Sequence, residues 1–246
     1  MSGPLLQVAG MGKRFGGFVA LDGIDLAVER GERVGLIGPN GSGKSTFVNC
    51  LSGVLRNETG TVQFDGQALN GLPAYKRTRL GLARSFQLPR PFRSLTIAQN
   101  LRIPLVYTVN ARRTGRRLTE AAIGERCAQL LGVVGLAEKA DRRPSDLTQI
   151  EMRKLELARA LAADPKLLIA DESMAGLSHS EVDEILVLLG RLVDQGITII
   201  LIEHIMRAVM SFSERLVVLV AGRKIADGLP QEVIRNPEVE RAYLGE

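Results

Sequence analysis

The sequence predicts an α/β fold built on a mainly parallel sheet with helices on both faces. Three observations predict it. Short apolar runs of strand length alternate with helix-type spacing after Asp164-Pro165: KLLIADE, a helix around Glu181 to Asp194, ITIILI (Ile197 to Ile202), a helix near Ile205 to Phe212, then RLVVLV. A glycine-rich turn, GPNGSGKS (Gly38 to Ser45), lies between the apolar run ERVGLI (Glu32 to Ile37) and the helix-like STFVNCLSG (Ser45 to Gly53). Residues 89–162 turn rich in Leu, Ala, Arg and Glu, with helical spacing in 118–134 and 151–163, and read as an insertion into the α/β core.

The chain begins with further short strand signals, LLQVAG and GIDLAV (Gly23 to Val28), and TVQFDG (Thr61 to Gly66) follows the first helix. The boundaries expected are a single domain over 1–246. Its core is 1–88 and 163–246, and its helical insert is 89–162.

Residues 38–45 fit G-x-x-x-x-G-K-[ST]. Gly38, Gly41 and Gly43 let the chain curl so that backbone N–H groups converge on phosphate oxygens, with Pro39, Asn40 and Ser42 forming the rest of the cradle. Lys44 reaches the β- and γ-phosphates, Ser45 offers a hydroxyl to Mg²⁺, and Thr46 adds a second hydroxyl. A helix starting here also points its positive end at the anion. The apolar strand KLLIADE ends in two carboxylates, where open α/β sheets hold ligands. Asp171 is placed to share the Mg²⁺ with Ser45, and Glu172 to accept a proton from attacking water or to orient it.

Composition narrows the classes. The net charge is +5, yet there is no Trp and only three Tyr, so base-stacking platforms are scarce and no nucleic-acid partner is expected. The arginine patch ARRTGRR (Ala111 to Arg117) reads first as a solvated loop and second as a membrane-surface contact. No apolar run approaches the roughly 20 residues of a spanning helix, and no signal peptide is expected at the start. Cys50 and Cys127 have no metal-site spacing, and Cys50 reads as a small core residue.

With these motifs in place, the chain resembles the nucleotide-binding subunit of an ABC transporter. The likeness runs from KRFGGFVALDGIDL (Lys13 to Leu26) to NPEVERAYLGE (Asn236 to Glu246). It implies a P-loop NTPase (RecA-like) core with an N-terminal antiparallel β subdomain and an inserted α-helical subdomain. It also implies roles for individual residues. Phe15 would lie on adenine. Gln87, in LARSFQ, would sit near Mg²⁺ and the water, and His204, in LIEH, would bond the γ-phosphate. MgATP would be hydrolysed between two ATPase subunits on the cytoplasmic face of a bacterial inner membrane. Two permease subunits, and indirectly a solute-binding protein, complete the expected assembly. SFQLPRPFRSLTIAQNL, AGLS, LIEHIM and the AYLGE terminus most resemble branched-chain amino acid importers; urea-import and lipopolysaccharide-export ATPases share parts of this pattern, and an altered signature segment keeps a weakly hydrolysing regulatory subunit as an alternative.

One segment departs from the family. Its L-S-G-G-Q signature is LTQIE here (Leu147 to Glu151): Gln149 and Ile150 replace two glycines and Glu151 a neutral amide. Thr148 and Glu151 are read both as contacts to a partner's γ-phosphate and as a capping box, T-x-x-E. Ser173 stands where proline is usual and Ser178 where aspartate is. Complete phosphate machinery beside an altered signature favours a heterodimer over a homodimer.

Overall fold

The computed structural model describes residues 3–86, 89–112 and 117–244. Strands β1 (Leu6–Phe15) and β2 (Phe18–Val28) form a long antiparallel hairpin. After β3 (Arg33–Ile37) and helix α1 (Lys44–Ser52), strand β4 (Thr59–Phe64) returns to pair with β1, and the short β5 (Gln67–Ala68) closes the edge. This gives a four-stranded antiparallel sheet in the order β2-β1-β4-β5.

The second sheet begins beyond α2 (Ala74–Leu80) with β6 (Leu82–Ser85). Then come α3 (Ile97–Pro104), α4 (Glu120–Val133) and α5 (Gln149–Leu161), with no strand among the described residues between β6 and β7 (Leu167–Asp171). Helix α6 (His179–Asp194), β8 (Thr198–Ile202), α7 (Met206–Phe212), β9 (Arg215–Val220) and β10 (Arg223–Gly228) follow. Two short helices, α8 (Pro230–Val233) and α9 (Pro237–Leu244), end the described chain. The six-stranded order is β10-β9-β3-β8-β7-β6, parallel throughout except for β10 at the edge.

The expected parallel sheet is therefore present, with an antiparallel edge strand that the sequence reading did not extend to. Strands β7 and β8 are buried along their whole length, as continuous Leu/Ile runs demand of a sheet covered on both faces. Leu6, Val8, Val62 and Phe64 from the antiparallel sheet meet Leu36, Phe47, Ile169 and Val217, so α1 lies in one apolar layer between the sheets. A second layer joins α3, α4, α5 and α6 through Leu101, Leu130, Leu157 and Leu188.

Strand registers bring the functional ends together. Leu36 and Asp171 both pair with Ile202, so the chain leaves β3, β7 and β8 at one edge, toward Gly38, Glu172 and Glu203. Helix α3 stops at Pro104, and residues Leu105–Val109 continue as a π-turn. Arg112 then clamps this segment to the entrance of β7. Its guanidinium donates to Arg79 O (2.9 Å), Ala163 O (2.6 Å) and Asp164 Oδ2 (2.6 Å). Arg112 is thus a structural clamp and not part of a solvated loop; residues 113–116 lie outside the described region.

Buried Arg77 closes the far end of α1. Its Nη1 donates to Cys50 O (2.7 Å) and Leu51 O (2.8 Å), and its Nε to Leu72 O (2.9 Å). A cation at a helix C-terminus is electrostatically favoured, and these carbonyls have no intrahelical donor. Arg77→Met is expected to cost about 3 kcal/mol, read from the urea unfolding midpoint, because charged hydrogen bonds are lost from buried acceptors.

Candidate functional site

The phosphate loop adopts the curled backbone that its glycines permit. Gly41 and Gly43 have φ of 78° and 102°. A Cβ on Gly43 would lie 2.7 Å from Ala20 O, and one on Gly38 2.1 Å from Leu219 O. Ser42 N donates to Pro39 O (3.1 Å), which bends Pro39 and Asn40 over the loop. The turn between β9 and β10 braces it from outside, where Gly222 N donates to Ser42 O (2.9 Å). Lys44 Nζ folds back into the loop, donating to Gly38 O (2.7 Å), Pro39 O (3.1 Å) and Ser42 Oγ (3.4 Å). Burial lowers the Lys44 ammonium from its ordinary range, while Glu172 and Asp171 nearby act to raise it. Ser45 is exposed and Thr46 half-buried on the first turn of α1.

Asp171 ends β7, and Arg84 of β6 holds it. Arg84 Nη2 and Nε reach Asp171 Oδ2 at 2.6 and 3.2 Å, and Nη1 reaches Asn49 Oδ1 at 2.6 Å. Glu172 follows with a left-handed φ of 45°, and its N–H donates to Ile202 O (2.9 Å). A non-glycine residue held in this region stores strain of the kind found at functional sites. His204 lies beyond β8 with its side chain 67% exposed. Phe15, at the tip of the first hairpin, is 48% exposed with Lys13 Nζ 5.3 Å from its ring centre. Gln87 lies outside the described residues.

The start of α5 is a capping box. Thr148 Oγ1 accepts from Glu151 N (3.4 Å) and Thr148 N donates to Glu151 Oε2 (2.9 Å). Lys139, 2.6 Å from Glu151, lowers that carboxyl most, and the Thr148 N–H adds to the effect. Ser178 and Glu181 form a second box at α6, so the serine in the aspartate position serves as a helix cap. Cys50 and Cys127 are both buried and free.

The sequence reading missed three charged residues here. Arg84 is half-buried, and Arg153 and Glu203 are buried. Glu203 is 1% exposed. The available signal was a carboxylate set directly after the apolar run of β8, where burial demands a partner.

Oxygen donors at Ser45 and Asp171 suit a hard divalent cation, and the glycine cradle suits a polyphosphate. Residues 21–175 match the ABC transporter family. The chain belongs to this family. Residues 223–246 further match the branched-chain amino acid ATP-binding cassette transporter family.

Among curated relatives, this ABC cassette is similar to the high-affinity branched-chain amino acid transport ATP-binding protein BraF of Pseudomonas aeruginosa, 39% identical with both chains fully covered. It is 40% identical to LivG of Escherichia coli, a protein of the same description, again over all of both chains. Among solved structures, a nucleotide-free ATP-binding cassette from an ABC transporter superposes with a TM-score of 0.87 at 29% identity, covering 99% of this chain and 100% of that one. A dimeric cassette in a post-hydrolysis state with ADP and Pi superposes at 0.80 and 25% identity, covering 92% of this chain and 98% of that one. The ABC cassette described here binds ATP and is a transport ATPase.

Burial pushes the Glu203 carboxyl up to about 7, with Glu172 adding to the rise against the Met174 N–H. In the unfolded chain it would titrate near ~4.3. Between these values the folded chain keeps a proton that the unfolded chain has released. Its contribution is therefore full below pH ~4.3 and is lost as pH rises toward 7. Glu203→Gln is expected to flatten the fall in melting temperature between about pH 4.5 and 7. Parallel wild-type and variant melting curves across that range would refute this.

Proposed function

We propose that the chain hydrolyses MgATP at a site it shares with a second cassette, and that this drives import of branched-chain or related amino acids. Most support comes from one juxtaposition: Lys44 in its loop, Asp171 and Glu172 at the end of β7, and His204 at the end of β8, in a chain related along its full length to BraF and LivG. Mg²⁺ would be held by Ser45, Asp171 and Gln87, and would supply charge neutralisation of the phosphates.

The roles of the chain's own residues follow from position. The loop N–H groups from Gly38 to Thr46 bind the phosphates. Lys44 turns from the loop carbonyls to the β- and γ-oxygens. Phe15 stacks on adenine. Glu172 orients the attacking water and takes up its proton, and His204 bonds the γ-phosphate. Thr148 and Glu151 face the partner's nucleotide. Their capping box competes for the hydroxyl and N–H that a γ-phosphate would use, which favours a heterodimer with unequal sites.

The permease contact is assigned to the groove of about 290 Å³ between β6 and the helical segment. Exposed Val54, Phe86, Phe92 and Tyr107 lie on it, and Phe86 directly precedes Gln87. The helical segment 89–162 carries movement from there to the core. The described helices are not long and apolar enough to span a membrane, which suits a subunit attached through permeases at the cytoplasmic face.

Lys44→Ala should lower ATP turnover of the reconstituted transporter by at least about 100-fold, scored as phosphate release. Glu172→Gln should do the same, whereas the matching change in a distinct partner ATPase should cost less. Equal losses would sink the asymmetry. Turnover should also rise when a branched-chain amino acid is delivered on its binding protein. No rise with any amino-acid-loaded binding protein would overturn the substrate class.

A further inference from the structure

The replaced signature makes a contact within its own chain. Gln149 Nε2, at a position where the family carries glycine, lies 3.4 Å from Ala175 O. Arg153, one turn further along α5, donates from Nη2 to the same carbonyl at 3.1 Å. Ala175 belongs to the short loop that follows Glu172. The next residue, Gly176, has φ 79°, and a Cβ there would meet Gln149 Nε2 at 2.6 Å, so the amide packs directly on the loop. The loop's other end is held from β8: Met174 N donates to Glu203 Oε1 at 2.8 Å. Glu203 precedes His204, and its Oε2 lies 4.0 Å from His204 Nδ1. One continuous path therefore runs from the start of α5, through Ala175 and Met174, to both residues assigned to γ-phosphate chemistry.

We propose that Gln149 and Arg153 are positioning residues that fix the loop after Glu172 through the Ala175 carbonyl. They couple the start of α5 to the catalytic carboxylate and to His204 in the same chain. The loop has little else to hold its backbone. Among the described residues its main-chain bonds besides Met174 N–Glu203 are Ala175 N to Glu172 O (3.4 Å) and Leu177 N to Met174 O (3.2 Å). A shift of α5 is therefore transmitted to the residue that carries the strained φ of 45°. The coupling rests on the proposed two-cassette arrangement, in which the α5 start faces the partner's nucleotide. In that arrangement, occupancy of the partner's site sets the geometry of this chain's own Glu172. An ordinary glycine at position 149 has no side chain with which to do this.

Two measurements test it. Hydrogen exchange on the full chain without nucleotide needs neither dimer nor turnover. Gln149→Gly with Arg153→Met should speed exchange of the amides from Met174 to Leu177 at least about fivefold, while amides of α3 stay unchanged. Arg153→Lys, which restores a donor, should recover most of the protection. Unchanged exchange in the double variant overturns the relay. In the reconstituted transporter, the double variant should lower kcat about tenfold with KM for ATP within twofold. Arg153→Lys should again rescue. Wild-type kcat in the double variant, in a preparation where Lys44→Ala is inactive, overturns the coupling and leaves the ATPase reading standing. Turnover that survives Lys44→Ala would instead count against that reading, and the exchange result would still decide the relay.

Discussion

The architecture depends on backbone packed against backbone at the phosphate loop. Gly38 lies where any side chain would enter the carbonyl of Leu219 on β9, and Gly43 where it would enter that of Ala20 on β2. Gly222, in the turn after β9, meets the same Ala20 carbonyl. The loop is thus gripped between a strand of each sheet. Dispersion and hydrogen bonding at this separation leave no room for the loop to relax independently, so its N–H groups are set before any anion arrives. The C-terminal region closes against the same place. Val233 and Val239 pack with Ile37, the last residue of β3, and the Gly38 amide lies beside the Tyr243 hydroxyl.

Around this rigid loop the structure spends charge in the interior. Arg84 compensates Asp171, Arg159 stands 2.7 Å from Glu156, and Arg77 neutralises the end of α1. Each pair joins different elements or turns near the crevice. Breaking one leaves an uncompensated buried charge, a larger penalty than the pair's own contribution. Glu203 differs from these: burial pushes its carboxyl up to about 7, and one of its oxygens accepts from the Met174 N–H.

Much of this could be read from the sequence, for identifiable reasons. Fully buried parallel strands are continuous apolar runs, so β3, β7, β8 and β9 stand out, and helix α6 shows its Val182, Ile185, Leu189 and Leu192 stripe. The T-x-x-E box at α5 has the spacing of its own hydrogen bonds. What escaped lacked such periodicity. Strand β10 is half-exposed along its length and carries no apolar run. Strand β1 was legible only at its start, LLQVAG; it changes register after Val8 and Met11, which scrambles the alternation of its second half. Arg84, Arg153 and Glu203 gain meaning only from partners many residues away. Gln149 was legible as a departure from glycine, but its contact with Ala175 was not, because that meeting is made by the tertiary fold.

The guanidinium of Arg84 has a consequence for how the chain is assembled in time. It gives Asp171 a permanent counter-charge from within the protein, on one carboxylate oxygen. Sites whose acidic ligands repel one another must wait for a cation to fold around, and in those proteins chelation is denaturation. Here the carboxylate is already neutralised when β6, β7 and α1 come together. The sheet that carries Asp171 therefore does not depend on a bound cation to offset this carboxylate.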